Sequence, residues 1–204
     1  ALAHVPNSGR MEELLLPGTI VLLHKAKANP HRKTAYDLLL VEKEGNLISI
    51  DSRLPNNLVE AALRKNKIMS LQNVNLIKRE AAWGLSRFDF YLQDDRGGIW
   101  LETKSVNLVD DHIARFPDAA TKRGTRHLAE LMKLKKQGLR SVVLFLVLRN
   151  DALCFAPHWK RDPDFSRALF ECIREGVEVH AFRCDVQEKG ISLGQEIPVI
   201  GKEL

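Results

Sequence analysis

The amino-acid sequence predicts an α/β domain that follows a small all-β segment. Residues 1–55 hold only short apolar stretches of strand length, whereas from Pro55 onward helical and strand periodicities follow one another. Residues 141–148 are almost wholly apolar, which is typical of a central strand covered on both faces. We therefore expect an all-β domain over residues 1–55 and an α/β domain over residues 56–204.

Composition narrows the class of protein. The chain has 204 residues, of which 45% are hydrophobic and 28% charged, as in a globular protein that buries a core. No apolar run is long enough to cross a membrane and no secretory signal opens the chain, so we expect a cytoplasmic protein. Cys154, Cys172 and Cys184 show no zinc or disulfide spacing and are expected to be free thiols. The net charge of +5 is compatible with a polyanionic partner without requiring one.

The all-β segment is predicted to contain three short strands, at residues 18–23, 36–42 and 47–50. A basic loop, residues 24–33, separates the first strand from the second. Three or four short strands cannot close a barrel. We therefore expect this domain to be incomplete at its amino end.

The α/β segment is predicted to run helix, three strands, helix, strand, helix, strand, and then a small terminal hairpin. The expected elements are a helix at 57–65, a strand at 74–79, a hairpin at 86–106, a helix at 121–137, a strand at 141–148, a helix at 165–175 and a strand at 177–182. Asp164 is the expected N-cap of the last helix, and Gly138 and Gly176 are expected to end two of the helices. This αβββαβ order predicts a sheet of four or five strands with helices on both faces.

The hairpin at 86–106 carries the most specific pattern. Both arms alternate between apolar and polar residues around a turn at residues 94–98, and Phe88, Phe90 and Leu92 are expected on one face. An antiparallel register that packs this face places Asp89 opposite Glu102 or, one pair along, opposite Lys104. Either register gathers two carboxylates and one ammonium group on the other face.

Two adjacent carboxylates repel each other unless a positive charge lies between them. An Asp followed one strand later by Glu-x-Lys is the motif of the PD-(D/E)xK nuclease-like superfamily, and the element order agrees with that fold. In this interpretation Asp89, Glu102 and the Thr103 carbonyl hold Mg²⁺ or Mn²⁺, and Lys104 orients a water and stabilises the phosphorane. The alternative is a solvated strand face with a salt-bridge ladder.

The helix at 121–137 places Arg123, His127 and Glu130 on one face. Packed beside the hairpin, Arg123 and His127 would lie over a phosphate; the alternative is an exposed charged face with ion pairs inside the helix. Further basic residues flank the hairpin in sequence, and those expected to contact DNA are Arg87, Lys122, Arg123, Arg126 and His127. Glu60 and Glu80 are candidate extra acids.

Several motifs in order extend the resemblance to a family. They are His4-x-Pro6-Asn7-Ser8-Gly9-Arg10-Met11, Pro17-Gly18, Ser86-Arg87-Phe88-Asp89-Phe90, Glu102-Thr103-Lys104-Ser105-Val106, Phe116-Pro117-Asp118-Ala119 and Arg123-Gly124-x-Arg126-His127-Leu128-x-Glu130-Leu131. Over essentially the whole chain the sequence resembles the sugar fermentation stimulation protein A family. This resemblance implies an OB-like N-terminal domain, a nuclease-like second domain, DNA binding of low sequence preference and a link to maltose metabolism. The sequence departs from the family at Ser8, where Thr is usual, and in the position of the first motif, which the family places after several strands.

The function expected from these patterns is that of a DNA-binding regulatory protein on a nuclease-like fold, with Asp89, Glu102 and Lys104 as the nuclease motif. The first alternative is an active Mg²⁺- or Mn²⁺-dependent DNA endonuclease, and the second is an α/β interaction protein that binds no nucleic acid. Aromatic residues make up only 6% of the chain, so a platform for stacking single-stranded bases is not expected and double-stranded DNA is the favoured partner. The oligomeric state is open, with a homodimer as one option.

Overall fold

The computed structural model describes residues 1–7, 9, 11–27 and 29–200. The N-terminal part forms one four-stranded sheet in which the third strand is central. Its strands are β1 Ala3–His4, β2 Val21–Lys25, β3 Tyr36–Lys43 and β4 Asn46–Ser49. Strand β3 pairs with β1 in parallel and with β2 and β4 in antiparallel orientation. The predicted all-β character of this segment is confirmed.

The remainder of the described chain alternates helices and strands. The elements are α1 Leu54–Arg64, β5 Asn75–Trp83, β6 Ser86–Asp94, β7 Gly97–Val106, β8 Val109–Asp110, β9 Ile113–Phe116, α2 Lys122–Lys136, β10 Arg140–Val147, β11 Cys154–Pro157, α3 Pro163–Arg174, β12 Glu178–Gln187 and β13 Gly190–Ile197, with a 3-10 turn at Met69–Leu71. Six strands form the main sheet in the order β13-β12-β10-β7-β6-β5. Strand β10 is parallel to β7 and β12, and the other pairs are antiparallel.

Strand β10 is central because both of its faces are buried. Its alternate residues Val142 and Leu144 belong to the core cluster on the α1 side of the sheet, and Val143 and Phe145 belong to the cluster on the side of α2 and α3. This explains why the strand reads as a continuous apolar run rather than an alternation. The predicted α/β layering is confirmed, with six strands where four or five were expected.

Helix α3 begins two residues earlier than predicted, and its cap is a different residue. The side chain of Asp162 accepts a hydrogen bond from the Phe165 N–H at 3.0 Å, whereas Asp164 lies in the first turn and pairs with Arg167. Pro163 is the reason, because proline suits the first helical position, where its missing N–H leaves no hydrogen bond unmade.

Two further expectations were wrong in detail, and one small sheet was missed. The terminal hairpin does not form within residues 191–200; instead β12 runs to Gln187, five residues beyond the predicted end at residue 182, and pairs with a single strand, β13. A small sheet of order β11-β9-β8 was not predicted. Phe88 packs in the core on the α2 side, whereas Phe90 and Leu92 pack on the α1 side, so these three side chains do not share one face.

The two parts of the chain contact each other directly. The Ser49 N–H donates to the Leu148 carbonyl at 2.9 Å, and the Asn107 side-chain amide donates to the Ser49 carbonyl at 2.7 Å. The three cysteines are free, as predicted. None of the helices in the described ranges is long and apolar enough to cross a membrane.

Candidate metal and nucleic-acid site

The hairpin of β6 and β7 opens into a fork at the predicted site. Backbone pairing between the two strands ends at Phe90 and Leu101, and the same register continued by one residue places Asp89 opposite Glu102. Beyond this point β6 stays paired with β5, and β7 stays paired with β10. The first of the two predicted registers is therefore confirmed, and the carboxylates lie where the strands separate.

Asp89 occupies the space between the two strands. Its Oδ2 accepts the Thr103 backbone N–H at 2.8 Å, and its Oδ1 accepts from the side-chain amide of Asn56 in α1 at 2.8 Å. Burial, with the charge of Glu102 as the next cause, raises the pKa of Asp89 to about 6 in spite of these hydrogen bonds. Asp89 is thus an acid that resists ionisation in the folded protein.

Glu102 faces helix α2 and is only 3% exposed. Its Oε1 accepts from His127 Nδ1 at 2.6 Å and from the Lys104 ammonium group. Burial acts to raise the pKa of Glu102, but the hydrogen bond from His127 and the charge of Lys104 hold that pKa below its usual value. Its Oε2 is buried and has no hydrogen-bond partner in the described part of the chain.

His127 is 1% exposed and belongs to the same network. A carboxylate only accepts hydrogen bonds, so the imidazole donates to Glu102 from Nδ1. Its Nε2 lies 3.5 Å from Arg123 Nε, which is a donor, so Nε2 acts as the acceptor. These partners assign a proton to Nδ1, from which the ring donates to Glu102.

The donor set suits a hard divalent cation. Asp89 and Glu102 supply carboxylate oxygens, and the buried Glu102 Oε2 is a strong acceptor that lacks a donor within the described ranges. Among the described residues, no group of three or more His, Cys, Asp or Glu side chains is arranged to hold a metal. A cation here would therefore depend on the two carboxylates, backbone oxygen and water, and the Thr103 carbonyl remains a prediction as a ligand.

The predicted DNA-contacting residues divide into two groups. Arg87, Lys122, Arg123 and Arg126 are exposed, the last three on the first two turns of α2. His127 is enclosed and contacts Glu102, Arg123 and the ring of Phe88.

The two candidate extra acids lie outside the fork. Glu60 forms ion pairs with Arg64 and Arg79, and Glu80 is exposed in β5 with a φ of +50°. The residue that α1 does contribute is Asn56, which the sequence interpretation missed. Asn56 shares a helical face with Val59 and Leu63, so a polar residue on an otherwise apolar stripe was the available signal.

Fold and site together define a protein with an all-β N-terminal domain and an α/β domain whose forked hairpin holds two acids and a lysine. Two family models match the chain, the SfsA N-terminal OB domain over residues 1–50 and the sugar fermentation stimulation protein RE domain over residues 53–190. The chain belongs to the sugar fermentation stimulation protein family, SfsA. The resemblance found in the sequence motifs is confirmed, as is the order of an OB domain followed by an α/β domain.

Relatives match almost the whole chain. The sugar fermentation stimulation protein homolog of Clostridium tetani is 46% identical over 200 residues, covering 98% of this chain and 86% of that protein. The homolog of Natranaerobius thermophilus is 46% identical over 202 residues, covering 97% and 84%. The structure of Pyrococcus furiosus SfsA in complex with Ca²⁺ matches with a TM-score of 0.90 and 33% identity, covering 97% of this chain and 85% of that one.

Proposed function

We propose that this chain is a DNA-binding protein of low sequence preference that engages the phosphate backbone around a divalent cation in the β6–β7 fork. The observation that carries the proposal is the pair of acids, Asp89 and Glu102, which are brought together with one buried carboxylate oxygen left without a donor. A buried carboxylate oxygen without a hydrogen-bond donor costs about 1–3 kcal/mol of stability, and a bound cation would remove that cost. The Ca²⁺ complex of the Pyrococcus furiosus relative supports a cation of the same hard class.

The cation would be Mg²⁺ or Mn²⁺, held by Asp89, Glu102 and the Thr103 carbonyl. When bound, such an ion neutralises charge on a phosphate and lowers the pKa of a coordinated water. Asn56 and the Thr103 N–H orient Asp89, and His127 orients Glu102 through its Nδ1–H. We assign His127 a positioning role rather than a DNA contact, because it is buried against Glu102.

The exposed cations of α2 extend this site toward DNA. Lys122, Arg123 and Arg126 lie within five residues, and Arg123 reaches back to His127 of the acid network. Together with Arg87 of β6 they would contact phosphates, which gives affinity that depends on salt and not on sequence. Double-stranded DNA is the proposed partner. The family name supports a regulatory role in sugar metabolism, which we place in maltose utilisation through DNA binding.

A second candidate function is metal-dependent cleavage of DNA. It is favoured by Lys104, whose ammonium group lies against Glu102 beside the Asp89 carboxylate, so the three residues of the nuclease-like motif share one fork. Lys104 would orient an attacking water and stabilise charge on the phosphate. Shared motif residues do not by themselves establish turnover.

Both candidates are tested with one set of proteins. Fluorescence anisotropy with duplex DNA across a salt series measures binding, and supercoiled DNA with Mg²⁺ or Mn²⁺ measures nicking. The variants are Asp89→Asn and Lys104→Ala, with Glu60→Gln as an acidic control outside the fork. Salt-sensitive binding without nicking supports the DNA-binding proposal, and nicking that both variants lose while the control keeps it supports the nuclease. A wild-type protein without salt-sensitive binding would contradict both.

A further inference from the structure

Helix α1 brings one polar side chain to the fork, that of Asn56 in its first turn. Its Nδ2 donates to Asp89 Oδ1 at 2.8 Å, across 33 positions of the sequence. Asn56 is half-buried and shares a helical face with Val59 and Leu63, which belong to the core between α1 and the main sheet. The packing of the helix therefore places this amide beside the acid.

The carbonyl oxygen of the same amide makes no hydrogen bond. None of the described residues donates to Asn56 Oδ1, and this oxygen is not one of the enclosed polar atoms of the described chain. An ionised carboxylate only accepts hydrogen bonds, so the amide nitrogen is the atom that faces Asp89 in the absence of a cation. Asn56 thus presents a used donor and an unused acceptor at the fork.

The unused oxygen lies close to the acid. The C=O and C–N bond lengths put the nitrogen and oxygen of an amide about 2.3 Å apart. Because Nδ2 is 2.8 Å from Asp89 Oδ1, the Asn56 carbonyl oxygen is at most about 5 Å from that carboxylate oxygen. The terminal torsion of an asparagine side chain is broad and roughly two-fold. Half a turn about it brings the oxygen close to the present position of Nδ2 without movement of the backbone.

This turn of the amide requires a positive charge beside the two oxygens. Two acceptors 2.8 Å apart repel each other, so the cation-free protein keeps the Asn56 nitrogen toward Asp89. Adjacent oxygen ligands of an octahedral Mg²⁺ at about 2.1 Å lie about 3 Å apart, which is close to that separation. The orientation that the cation-free protein disfavours is therefore favoured once Asp89 holds a cation.

The fork has few oxygen ligands without Asn56. It brings together the acids Asp89 and Glu102, and no three His, Cys, Asp or Glu side chains within the described ranges are arranged to hold a metal. Amide carbonyl oxygens are ordinary ligands of hard divalent cations. Because Asn56 is uncharged, it adds a ligand without adding to the repulsion between the two carboxylates.

We propose that the carbonyl oxygen of Asn56 is a further ligand of the cation in the fork, and that this amide turns from hydrogen-bond donor to cation ligand when the cation binds. The proposal rests on the cation site proposed above. It adds a residue of α1 to the nuclease-like motif of Asp89, Glu102 and Lys104. In the cation-free protein Asn56 holds Asp89 in place, and in the cation-bound protein it supplies one more oxygen.

Two substitutions at position 56 distinguish a ligand from a hydrogen-bond donor. Asn56→Leu removes both polar atoms at similar volume, whereas Asn56→Asp keeps an oxygen and removes the donor. Asn57→Leu and Asn57→Asp make the same changes at the next, exposed position, which contacts Arg79. The affinity of each full-length protein for Mg²⁺ is measured by an NMR titration at pH 7.5. We expect Asn56→Leu to weaken binding by about tenfold or more. Asn56→Asp should bind at least as tightly as the wild type, and both Asn57 variants should keep the wild-type affinity.

The side-chain signals of Asn56 report the turn of the amide itself. Mg²⁺ is diamagnetic, so the carbonyl carbon and the amide protons are followed in the same titration, with Na⁺ at matched ionic strength as the control. Coordination draws electron density from the carbonyl group and ends the hydrogen bond to Asp89. We expect the carbonyl carbon signal to move downfield and the amide proton signals to move upfield, and both changes to saturate with Mg²⁺ binding.

The outcomes separate failure of this ligand from failure of the proposed function. Asn56 signals that do not move in the Mg²⁺-saturated wild type overturn the ligand and leave the cation site intact. Mg²⁺ binding that is as weak in Asn56→Asp as in Asn56→Leu does the same, because Asn56 then only positions Asp89. Absence of Mg²⁺ binding in the wild type, or binding that Asp89→Asn retains, overturns the cation site and with it the role of Asn56.

Thermal unfolding in EDTA establishes that each variant is folded before the titration. If Asn56→Leu does not fold, the affinity of Asn56→Asp and the Asn56 signals of the wild type still decide the outcome. An Asn56→Asp variant that binds more weakly than the wild type then overturns the ligand.

Discussion

The imidazole of His127 lies with Nδ1 2.6 Å from Glu102 Oε1, and both side chains are almost completely excluded from solvent. The contact joins helix α2 to the third strand of the α/β domain. It satisfies one oxygen of a buried carboxylate while the other oxygen has no partner among the described residues. The contact should therefore stabilise the fold, and it leaves the second oxygen of Glu102 available to a cation.

Replacing His127 with alanine should destabilise the protein by about 2–3 kcal/mol, because Glu102 loses a donor while it remains buried. His127→Asn should recover part of the loss, since its amide can donate from a similar position. Urea unfolding at pH 7 measures the change, with the exposed His24→Ala as a control. Equal midpoints for His127→Ala and the wild type would contradict the structural role given to this contact.

The raised pKa of Asp89 predicts how the free energy of unfolding depends on pH in metal-free buffer. Its folded pKa of about 6 lies above the unfolded value of 3.8, so the folded state holds a proton that the unfolded state has released. The stability contributed by this group is present below pH 4 and is lost as the pH rises through 6. Asp89→Asn removes this loss, so its stability relative to the wild type should grow by up to about 3 kcal/mol between pH 4 and pH 7. Unfolding curves whose difference stays constant over this range would contradict the raised pKa.

Divalent cations should stabilise the wild-type protein at pH 7.5. A ligand present at one hundred times its Kd adds about 2.7 kcal/mol to the free energy of unfolding, which thermal unfolding detects readily. We expect Asp89→Asn and Glu102→Gln to lose the shift and Glu60→Gln to keep it. At pH 5 the wild-type shift should shrink, because Asp89 is then protonated. A shift of equal size in all four proteins would place the cation elsewhere.

Glu178 should govern part of the acid sensitivity of the sheet. Burial acts to raise its pKa, but hydrogen bonds from Arg140 and His180 lower that pKa to about 2. Because the folded value lies below the unfolded 4.5, this contribution is present above pH 4.5 and disappears as the pH falls toward 2. Glu178→Gln should lower the free energy of unfolding by about 2 kcal/mol at pH 7, after allowance for partial exposure. The free energy of unfolding of this variant should also fall less steeply between pH 4.5 and pH 2. Glu188→Gln, at an exposed position, is the control. An equally steep loss of stability below pH 4.5 in Glu178→Gln and in the wild type would contradict the role given to Glu178.

Asp162 should contribute more to the free energy of unfolding than Asp164, which lies two residues further along the chain. It caps α3 through the Phe165 N–H and also accepts the Thr121 N–H that precedes α2. Asp162→Ala leaves two donors unmet and should cost about 2–3 kcal/mol, whereas Asp164→Ala should change stability by less than about 0.5 kcal/mol. Chemical denaturation measures the free energy of unfolding of the two variants. Equal losses in both would contradict the double role given to Asp162.

Local patterns were sufficient for much of the fold. The hairpin, the helix from Lys122 to Lys136 and the apolar central strand were predicted from periodicity and turn residues, and the observed register was one of the two predicted for Asp89. Each of these features depends on residues close in sequence. A shift of register by one residue would turn every apolar side chain of a strand toward the wrong face, so the pattern leaves only registers that differ by two residues.

The sequence by itself determined the family, the order of the helices and of the main-sheet strands as far as β12, and the two strands that carry Asp89, Glu102 and Lys104; it left two registers open for Asp89. Only the tertiary structure decided that Asn56 holds Asp89 and that His127 is buried against Glu102. These relationships join residues 33 and 25 positions apart in the sequence. Their geometry depends on where β6 and β7 separate, and such long-range packing leaves no periodic signal in the chain.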